Sequence, residues 1–268
     1  MKQGQGASTI RKEQGFRQLF CDSLRLASAP TISRYPFWHI DLNAGSGHND
    51  LVGCDGSPVA FGQEAMGAGR FYRSFLVDRD FESIASLRQT MVAVPMPDDS
   101  TRAFLACDNA EALPAIASRI RSQENPAYAV GLVLCDPNGW KGVPFDALAA
   151  FAAEFPRIDI VLHLNCNLFR SVAGCKLSRH EHIREGFADW PSPEEVVARL
   201  CRPNWLIRNV SRAAGHNFTT LLGRTSSQGI RQFADFFPLS SLTGRQILTT
   251  LRRVDGTDQL RLFPEDGQ

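Results

Sequence analysis

The stretch FWHIDLNAGSGHND, residues 37–50, decides how the rest of this sequence is interpreted. Its first residues favour a β-strand that ends in Asp41, and the chain then passes through Gly45 and Gly47. An acid followed by two glycines at this spacing is typical of a tight turn, and also of the mouth of a nucleotide-binding site. The flanking sequence has to decide between these two interpretations.

Length and charge restrict the class of protein. A chain of 268 residues is long enough for one large domain or two small ones. Its formal net charge of +1 does not commit the whole molecule to a polyanion, so nucleic-acid binding would need a local basic patch. The sequence has no apolar run long enough to span a membrane, and its first residues lack the apolar core of a signal peptide. We therefore expect a cytoplasmic protein.

The cysteines indicate a reducing compartment. There are 7, an odd number, and Cys107 and Cys135 each end an apolar run just before an acid, so we expect buried, reduced thiols. A second group could bind zinc, but its first spacing is long and its histidines alternate, which matches no common zinc module. We therefore predict no metal site there, with zinc as the minor alternative. This group consists of Cys166, Cys175, His180 and His182.

Short apolar runs alternate with helical patterns along most of the chain. An amphipathic helix is predicted at residues 11–27, followed by a linker broken by two prolines. Strands are predicted at residues 37–44, 72–80, 102–109, 128–137 and 158–165, and helices at 57–67, 81–91, 110–122, 144–155 and 192–201. Two final strands are predicted at residues 204–211 and 217–226.

This alternation predicts an α/β fold with a doubly wound, mostly parallel sheet and helices on both faces. The last two strands are too close in sequence for a helical crossover, so we expect them to pair antiparallel. We divide the chain into an N-terminal helix and linker (1–36), a catalytic domain (37–226) and a C-terminal extension (227–268).

Four of the predicted strands end in an acid, namely Asp41, Asp78, Asp108 and Asp136. In open α/β sheets, ligands bind beyond the carboxyl ends of the strands. Four carboxylates at one such edge would repel one another without partners, so they indicate a polar ligand that is rich in hydroxyl and amine groups.

These motifs, in this order, resemble those of class I S-adenosylmethionine-dependent methyltransferases: DLNAGSG, VDRD, CDN and CDPNGW. The sequence is most similar to the three-Cys-motif partner family, methyltransferase-like proteins of bacteria and their mobile elements, through NAGSG, GSPVA and the Asp-Pro-x-Gly element at residues 136–139. The resemblance spans about residues 37–170. It implies a Rossmann-like, seven-stranded methyltransferase fold and S-adenosyl-L-methionine as the cofactor.

The resemblance also implies roles for individual residues. Asp41, Gly45 and Gly47 would form the turn under the methionine part of the cofactor. Asp78, or alternatively Asp80, would accept hydrogen bonds from the ribose hydroxyls. The full set of implied cofactor-binding residues is Asp41, Asn43, Gly45, Gly47, Asp78, Asp80, Phe81, Asp108 and Asn109, with Asp108 and Asn109 at the adenine amino group and Phe81 against the adenine face.

The methyl acceptor is predicted from the Asp-Pro-Asn-Gly-Trp segment, with Asp136, Pro137, Asn138 and Trp140 as the catalytic residues. Methyltransferases that act on amino groups of bases carry an acid, two prolines and an aromatic residue here, because a carboxylate and a backbone carbonyl accept the two amine hydrogens while a ring stacks on the flipped base. In this chain Asn138 replaces the second proline, and Trp140 comes one position late. Two alternatives remain open, an enzyme acting on a protein or small molecule and a non-catalytic adaptor.

Two further features concern partners. Basic side chains cluster at residues 170–184 and again at 208–224, where they would meet the phosphates of DNA or RNA or form an ordinary solvated surface. The tail resembles the peptide by which bacterial replication and repair proteins dock on the sliding clamp. The alternative is that this tail packs on its own domain. The tail residues concerned are Gln259, Leu260, Leu262 and Phe263.

Overall fold

The computed structural model describes residues 7–49, 53–137, 142–165, 204–209 and 233–239. Its helices are α1 (Ala7–Ala27), α2 (Ser57–Gly67), α3 (Phe81–Val92), α4 (Asn109–Arg121) and α5 (Phe145–Glu154). Its strands are β1 (Phe37–Asp41), β2 (His48–Asn49), β3 (Cys54–Asp55), β4 (Tyr72–Asp78), β5 (Thr101–Ala106), β6 (Val130–Cys135), β7 (Ile158–Asn165), β8 (Asn204–Asn209) and β9 (Phe233–Leu239). The five strands predicted between residues 37 and 165 are confirmed, and so are the four helices between them.

The main sheet is mostly parallel, as predicted. Its strand order is β5-β4-β1-β6-β7-β9-β8, and β2 and β3 form a separate two-stranded hairpin. Neighbours from β5 to β7 pair in parallel, whereas β9 runs antiparallel to both β7 and β8. The chain leaves β1 towards β4 on one side and later returns to β6 on the other, so the topological switch point lies between β1 and β6.

The strand at 204–209 pairs antiparallel with β9, which the sequence pattern did not predict. The predicted pairing with residues 217–226 stays a prediction, because those residues lie outside the described ranges. Pro238 near the end of β9 explains why β9 was not predicted from the sequence, because a proline cannot donate to the hydrogen-bond ladder and therefore argues against a strand inside a sheet. β9 belongs to the same sheet as the predicted catalytic domain, although it lies beyond residue 226.

Helices cover both faces of the sheet. On one face, Trp38, Ile40 and Leu42 pack with residues of α4 and α5. On the other face, Phe37, Leu132 and Leu134 pack with residues of α1 and α2. Every residue of β1 and β6 is buried, as expected for central strands covered on both faces.

Helix α1 lies outside the predicted catalytic domain and nevertheless packs into its core. Phe20, Leu19 and Leu24 are fully buried, and the Phe20 ring lies edge-on to Phe61 with ring centroids 5.4 Å apart. The helix begins at Ala7, four residues before the predicted start.

Ion pairs reinforce this packing. Arg17 of α1 contacts Asp55 of the hairpin at 2.6 Å and Glu64 of α2 at 3.4 Å. None of the helices described here is long and apolar enough to cross a membrane. Four thiols in the described ranges are unbridged, those of Cys21, Cys54, Cys107 and Cys135.

Candidate functional site

The candidate site lies at the carboxyl ends of β1, β4 and β6, where the switch point opens the sheet. After β1 the chain remains attached to both neighbouring strands. The Leu42 amide donates to the Leu134 carbonyl at 2.8 Å, and the Ala44 amide donates to the Val77 carbonyl at 2.9 Å. The turn that contains the two glycines is therefore held directly above the switch point.

Asp41 lies inside the turn. Its carboxylate is fully buried and accepts hydrogen bonds from Ser57 Oγ at 2.6 Å and from the Asn43 amide at 3.1 Å. The pKa of Asp41 is raised to about 7, mainly by burial; the two hydrogen bonds oppose this rise, and the negative charges of Asp136 and Asp78 add to it. Asp41 thus holds the turn to the start of α2 and does not face solvent.

The two glycines of the turn have different physical roles. Both have positive φ, +58° at Gly45 and +84° at Gly47. A Cβ at Gly47 would lie 2.6 Å from Leu87 Cδ1, so this glycine lets the turn pack closely on α3. A Cβ at Gly45 would meet no atom within 4 Å, so this glycine borders open space. Gly45 therefore marks the side of the turn where a ligand has room.

Asp78 connects the end of β4 to the same turn. Its Oδ2 accepts from the Gly45 amide at 3.0 Å, and its Oδ1 accepts from the Asp80 amide at 2.9 Å. A carboxylate oxygen has two lone pairs, so each oxygen can accept one more hydrogen bond. Such a carboxylate suits a pair of neighbouring hydroxyl groups.

Asp80, the alternative to Asp78 as the acceptor for the ribose, caps α3. Its carboxylate accepts from Ser83 Oγ at 2.6 Å and from the Ser83 amide at 3.1 Å. These bonds from Ser83 lower the pKa of Asp80. Of the two acids, only Asp78 contacts the glycine turn. Phe81, the first residue of α3, has 73% of its surface exposed and is free to cover a flat ligand.

Asp108 and Asn109 lie at the start of α4. The exposed Asp108 carboxylate caps the helix by accepting from the Ala110 amide at 2.9 Å, while Asn109 is buried. The Cys107 amide donates to the Asp78 carbonyl at 3.1 Å, so the ends of β4 and β5 lie side by side. The structure thus places Asp108 on the same edge as Asp78.

Asp136 and Pro137 lie on the other side of the switch point, at the end of β6. Asp136 is half-buried and Pro137 is buried. The Asp136 amide donates to Asn43 Oδ1 at 3.0 Å, which joins this segment to the glycine turn. Asn138 and Trp140 lie outside the described ranges, as do Cys166, Cys175, His180 and His182.

Ser57 is a residue of the site that sequence reasoning missed. Its hydroxyl donates to the buried Asp41 carboxylate from the first position of α2. The available signal was the Gly-Ser-Pro element, because a proline is favoured in the first turn of a helix and therefore indicates that Ser57 lies at the helix N-terminus.

Comparison with known proteins identifies the fold and no more. No family model matches the chain, and no curated protein matches it. Among solved structures, protein LPL1258 of Legionella pneumophila, described by the family model DUF519, is 12% identical over 96% of this chain and 97% of that chain, with a TM-score of 0.54. At this identity the likeness shows a shared fold alone.

Looser likenesses include named methyltransferases. The methyltransferase domain of bacterial CtHen1-C is 12% identical over 85% of this chain and 100% of that chain, with a TM-score of 0.39. A 16S rRNA (adenine(1408)-N(1))-methyltransferase from Catenulisporales acidiphilia is 15% identical over 89% of this chain and 95% of that chain, with a TM-score of 0.35. Scores below 0.5 are too low to support an argument about function. The strand order and the helices on both faces define the protein as a Rossmann-like α/β fold.

Proposed function

We propose that this protein is an S-adenosylmethionine-dependent methyltransferase that transfers a methyl group to a nucleic-acid base, most favourably to the amino group of adenine. One observation carries the proposal. Hydrogen bonds join the glycine turn, the Asp78 carboxylate and the start of the Asp136–Pro137 segment into one cluster at the switch point.

The cofactor half of the proposal rests on Gly45 and Asp78. The open space at Gly45 leaves room for the methionine part of the cofactor, which is cationic at its sulfonium and its amino group and therefore tolerates an acidic surface. Asp78 offers two oxygens for the ribose hydroxyls, and Phe81 offers an exposed ring for the adenine. In this proposal, Asp108 accepts from the adenine amino group.

The acceptor half rests on Asp136 and Pro137. An exocyclic amine is a poor nucleophile because its lone pair is delocalised into the ring. A carboxylate and a backbone carbonyl that accept its two hydrogens push the nitrogen towards tetrahedral geometry. Asp136 and the carbonyl of Pro137 supply this pair next to the turn that would hold the cofactor. DNA is favoured over RNA as the acceptor because the tail resembles a peptide that binds the sliding clamp.

Cofactor binding is tested by substituting Gly45. Gly45→Ala places a methyl group where the cofactor would lie, so we expect S-adenosylmethionine affinity to fall by about tenfold or more, as calorimetry would measure. Gly69→Ala is the matched control, because Gly69 has the same φ of +58° and equally open surroundings but lies before β4, at the opposite edge of the sheet.

Both variants should lose about 1–2 kcal/mol of stability, the ordinary cost of a side chain in the left-handed region. Equal cofactor affinity in the two variants would contradict the assignment of the turn, and no affinity in the native protein would contradict the proposed function itself.

The chemistry is tested at Asp136. Asp136→Ala should bind the cofactor normally and lose about 100-fold or more of its transfer rate, because it removes a positioned proton acceptor. The measurement uses labelled S-adenosylmethionine with DNA, RNA and cell lysate as separate acceptors. Label in protein or in a small molecule would replace the base by that acceptor class, and cofactor binding without any transfer would favour the adaptor.

A further inference from the structure

Asn43 reaches from the end of β1 to the segment that follows β6. Its side-chain Oδ1 accepts from the Asp136 amide at 3.0 Å, while its own amide donates to Asp41 Oδ1 at 3.1 Å. A backbone amide can only donate, so the oxygen of the Asn43 side chain must face Asp136. This contact fixes the orientation of the side chain and directs Nδ2 away from Asp136.

The position of this bond matters because it continues a strand pairing that has already ended. The last registered pair between β1 and β6 is Asp41 with Leu134, followed by the hydrogen bond from the Leu42 amide to the Leu134 carbonyl. Beyond that point the two chains separate, one into the glycine turn and the other into the Asp136–Pro137 segment. The Asn43 side chain joins them again.

A neutral amide is the group that this position requires. Asp41, Asp78 and Asp136 already lie close enough for the charges of Asp78 and Asp136 to act on Asp41. A carboxylate at position 43 would add a further negative charge between them, and a serine hydroxyl would be too short to span from β1 to Asp136. Asparagine supplies the accepting oxygen without the charge.

We propose that Asn43 is a positioning residue for methyl transfer, which fixes the distance between the glycine turn that holds the cofactor and the Asp136–Pro137 segment that holds the acceptor amine. This inference rests on the proposed function. Transfer requires the amine nitrogen within about 3–3.5 Å of the methyl carbon and in line with the bond that breaks, and a misplacement of about 1 Å can cost roughly 100-fold in rate. Losing the Asn43 bond would release one side of this arrangement.

The test compares Asn43→Ala with Asn125→Ala. Asn125 makes the same kind of bond, accepting from the Ala127 amide through Oδ1 at 2.9 Å, but it lies in the loop before β6, at the opposite edge of the sheet. Asn43→Ala should keep the native dissociation constant for S-adenosylmethionine within about threefold and lose about 10- to 100-fold in kcat. Asn125→Ala should keep both values.

A loss of cofactor affinity in proportion to the loss of rate would overturn the proposal, because Asn43 would then be a cofactor ligand only. An unchanged kcat would overturn it as well.

A second measurement does not depend on activity. Hydrogen exchange at the Asp136 amide should be about five- to tenfold faster in Asn43→Ala than in the native protein or in Asn125→Ala. Asn43→Ser is neutral and its hydroxyl is too short to reach the Asp136 amide, so it should show the same faster exchange, and it serves if the alanine variant does not fold.

Exchange and transfer together separate the two failures. If exchange is faster in Asn43→Ala but the native protein transfers no methyl group, the contact between Asn43 and Asp136 is supported and the proposed function is refuted. Unchanged exchange in Asn43→Ala would refute the positioning role, whatever the protein methylates.

Discussion

The carboxyl group of Asp41 is buried in the core at the point where the glycine turn begins. Its carboxylate has no exposed surface, and its hydrogen bonds to Ser57 and Asn43 only partly offset the loss of water around it. The pKa of about 7 follows from this imbalance. The residue therefore makes the stability of the turn depend on pH.

The first prediction at the residue scale concerns this dependence. In the unfolded chain the carboxyl titrates near its ordinary pKa of 3.8, and in the folded protein it titrates near 7. The stabilisation associated with the protonated form is thus fully present below about pH 4 and is lost as pH rises towards about 7. Asp41→Asn removes this titration. The free energy of unfolding of Asp41→Asn minus that of the native protein should therefore increase as pH rises across this range and stay constant above it.

Urea unfolding at several values between pH 4.5 and 7.5 measures the difference. Asp80→Asn is the control, because the pKa of Asp80 is lowered and its carboxyl is ionised in both the folded and the unfolded state over this range. A constant difference between native protein and Asp41→Asn would show that Asp41 is ionised throughout.

The sequence placed the acids correctly and could not assign their contacts. A carboxylate at the end of each parallel strand must lie at one edge of the sheet, and Asp41, Asp78 and Asp108 do. Which of them faces inward depends on groups distant in sequence, such as Ser57 for Asp41, and on which acid begins a helix, as Asp108 does. Spacing along the chain carries neither kind of information.

At the scale of elements, helix α1 packs into the core of the sheet, although the sequence analysis assigned it to an N-terminal segment before the catalytic domain. Phe20 contacts His39 and Phe61, whose rings stack at a centroid distance of 3.7 Å. Amphipathic periodicity correctly predicted a helix here. It could not predict the surface against which the apolar face packs, because periodicity describes one helix and not its partner.

Phe20→Ala should therefore destabilise the whole protein by about 3–5 kcal/mol, the usual cost of deleting a fully buried aromatic side chain. Its neighbour Cys21 is exposed, and Cys21→Ala should change stability by less than about 0.5 kcal/mol. Chemical unfolding followed by circular dichroism compares them. If Phe20→Ala left the transition of the sheet unchanged, α1 would be a separate unit.

The strands show the same division between what the sequence predicts and what it does not. Near-continuous apolar runs identified β1, β4, β5, β6 and β7, and all but β7 are followed by an acid at the strand end. Central strands such as β1 and β6 need such runs because they are buried on both faces. The β9 sequence FADFFPL breaks this pattern with Asp235 and Pro238, and it was missed. β9 pairs antiparallel with both of its neighbours and, among the described strands, lies next to the last strand β8, so it need not follow the apolar pattern of the parallel central strands.

At the scale of the whole molecule, we propose that the tail joins the enzyme to the bacterial sliding clamp. The tail residues lie outside the described ranges, so the proposal rests on the sequence. A short extended segment can bury Leu262 and Phe263 in a preformed groove, while Gln259 supplies hydrogen bonds. An enzyme delivered in this way would act on newly replicated DNA.

The prediction is that purified bacterial clamp retains the native chain at micromolar concentration and does not retain a Leu262→Ala, Phe263→Ala double variant. Arg261→Ala is the matched control, since the motif accepts any residue at that position, and it should be retained like the native chain. Equal retention of the native chain and the double variant would assign the tail to packing on its own domain.

The place of β9 in the sheet affects how the protein can be made. Each of the strands β4 to β7 pairs with at least one strand that precedes it in the chain, so this part of the sheet can assemble while synthesis continues. Among the described strands, the open side of β7 pairs with Phe233–Leu239, and β8 joins the sheet through β9 although it leaves the ribosome first. At roughly 5–20 residues per second, β7 presents an unpaired edge for several seconds. During that interval the nascent chain needs protection from aggregation more than the finished protein does.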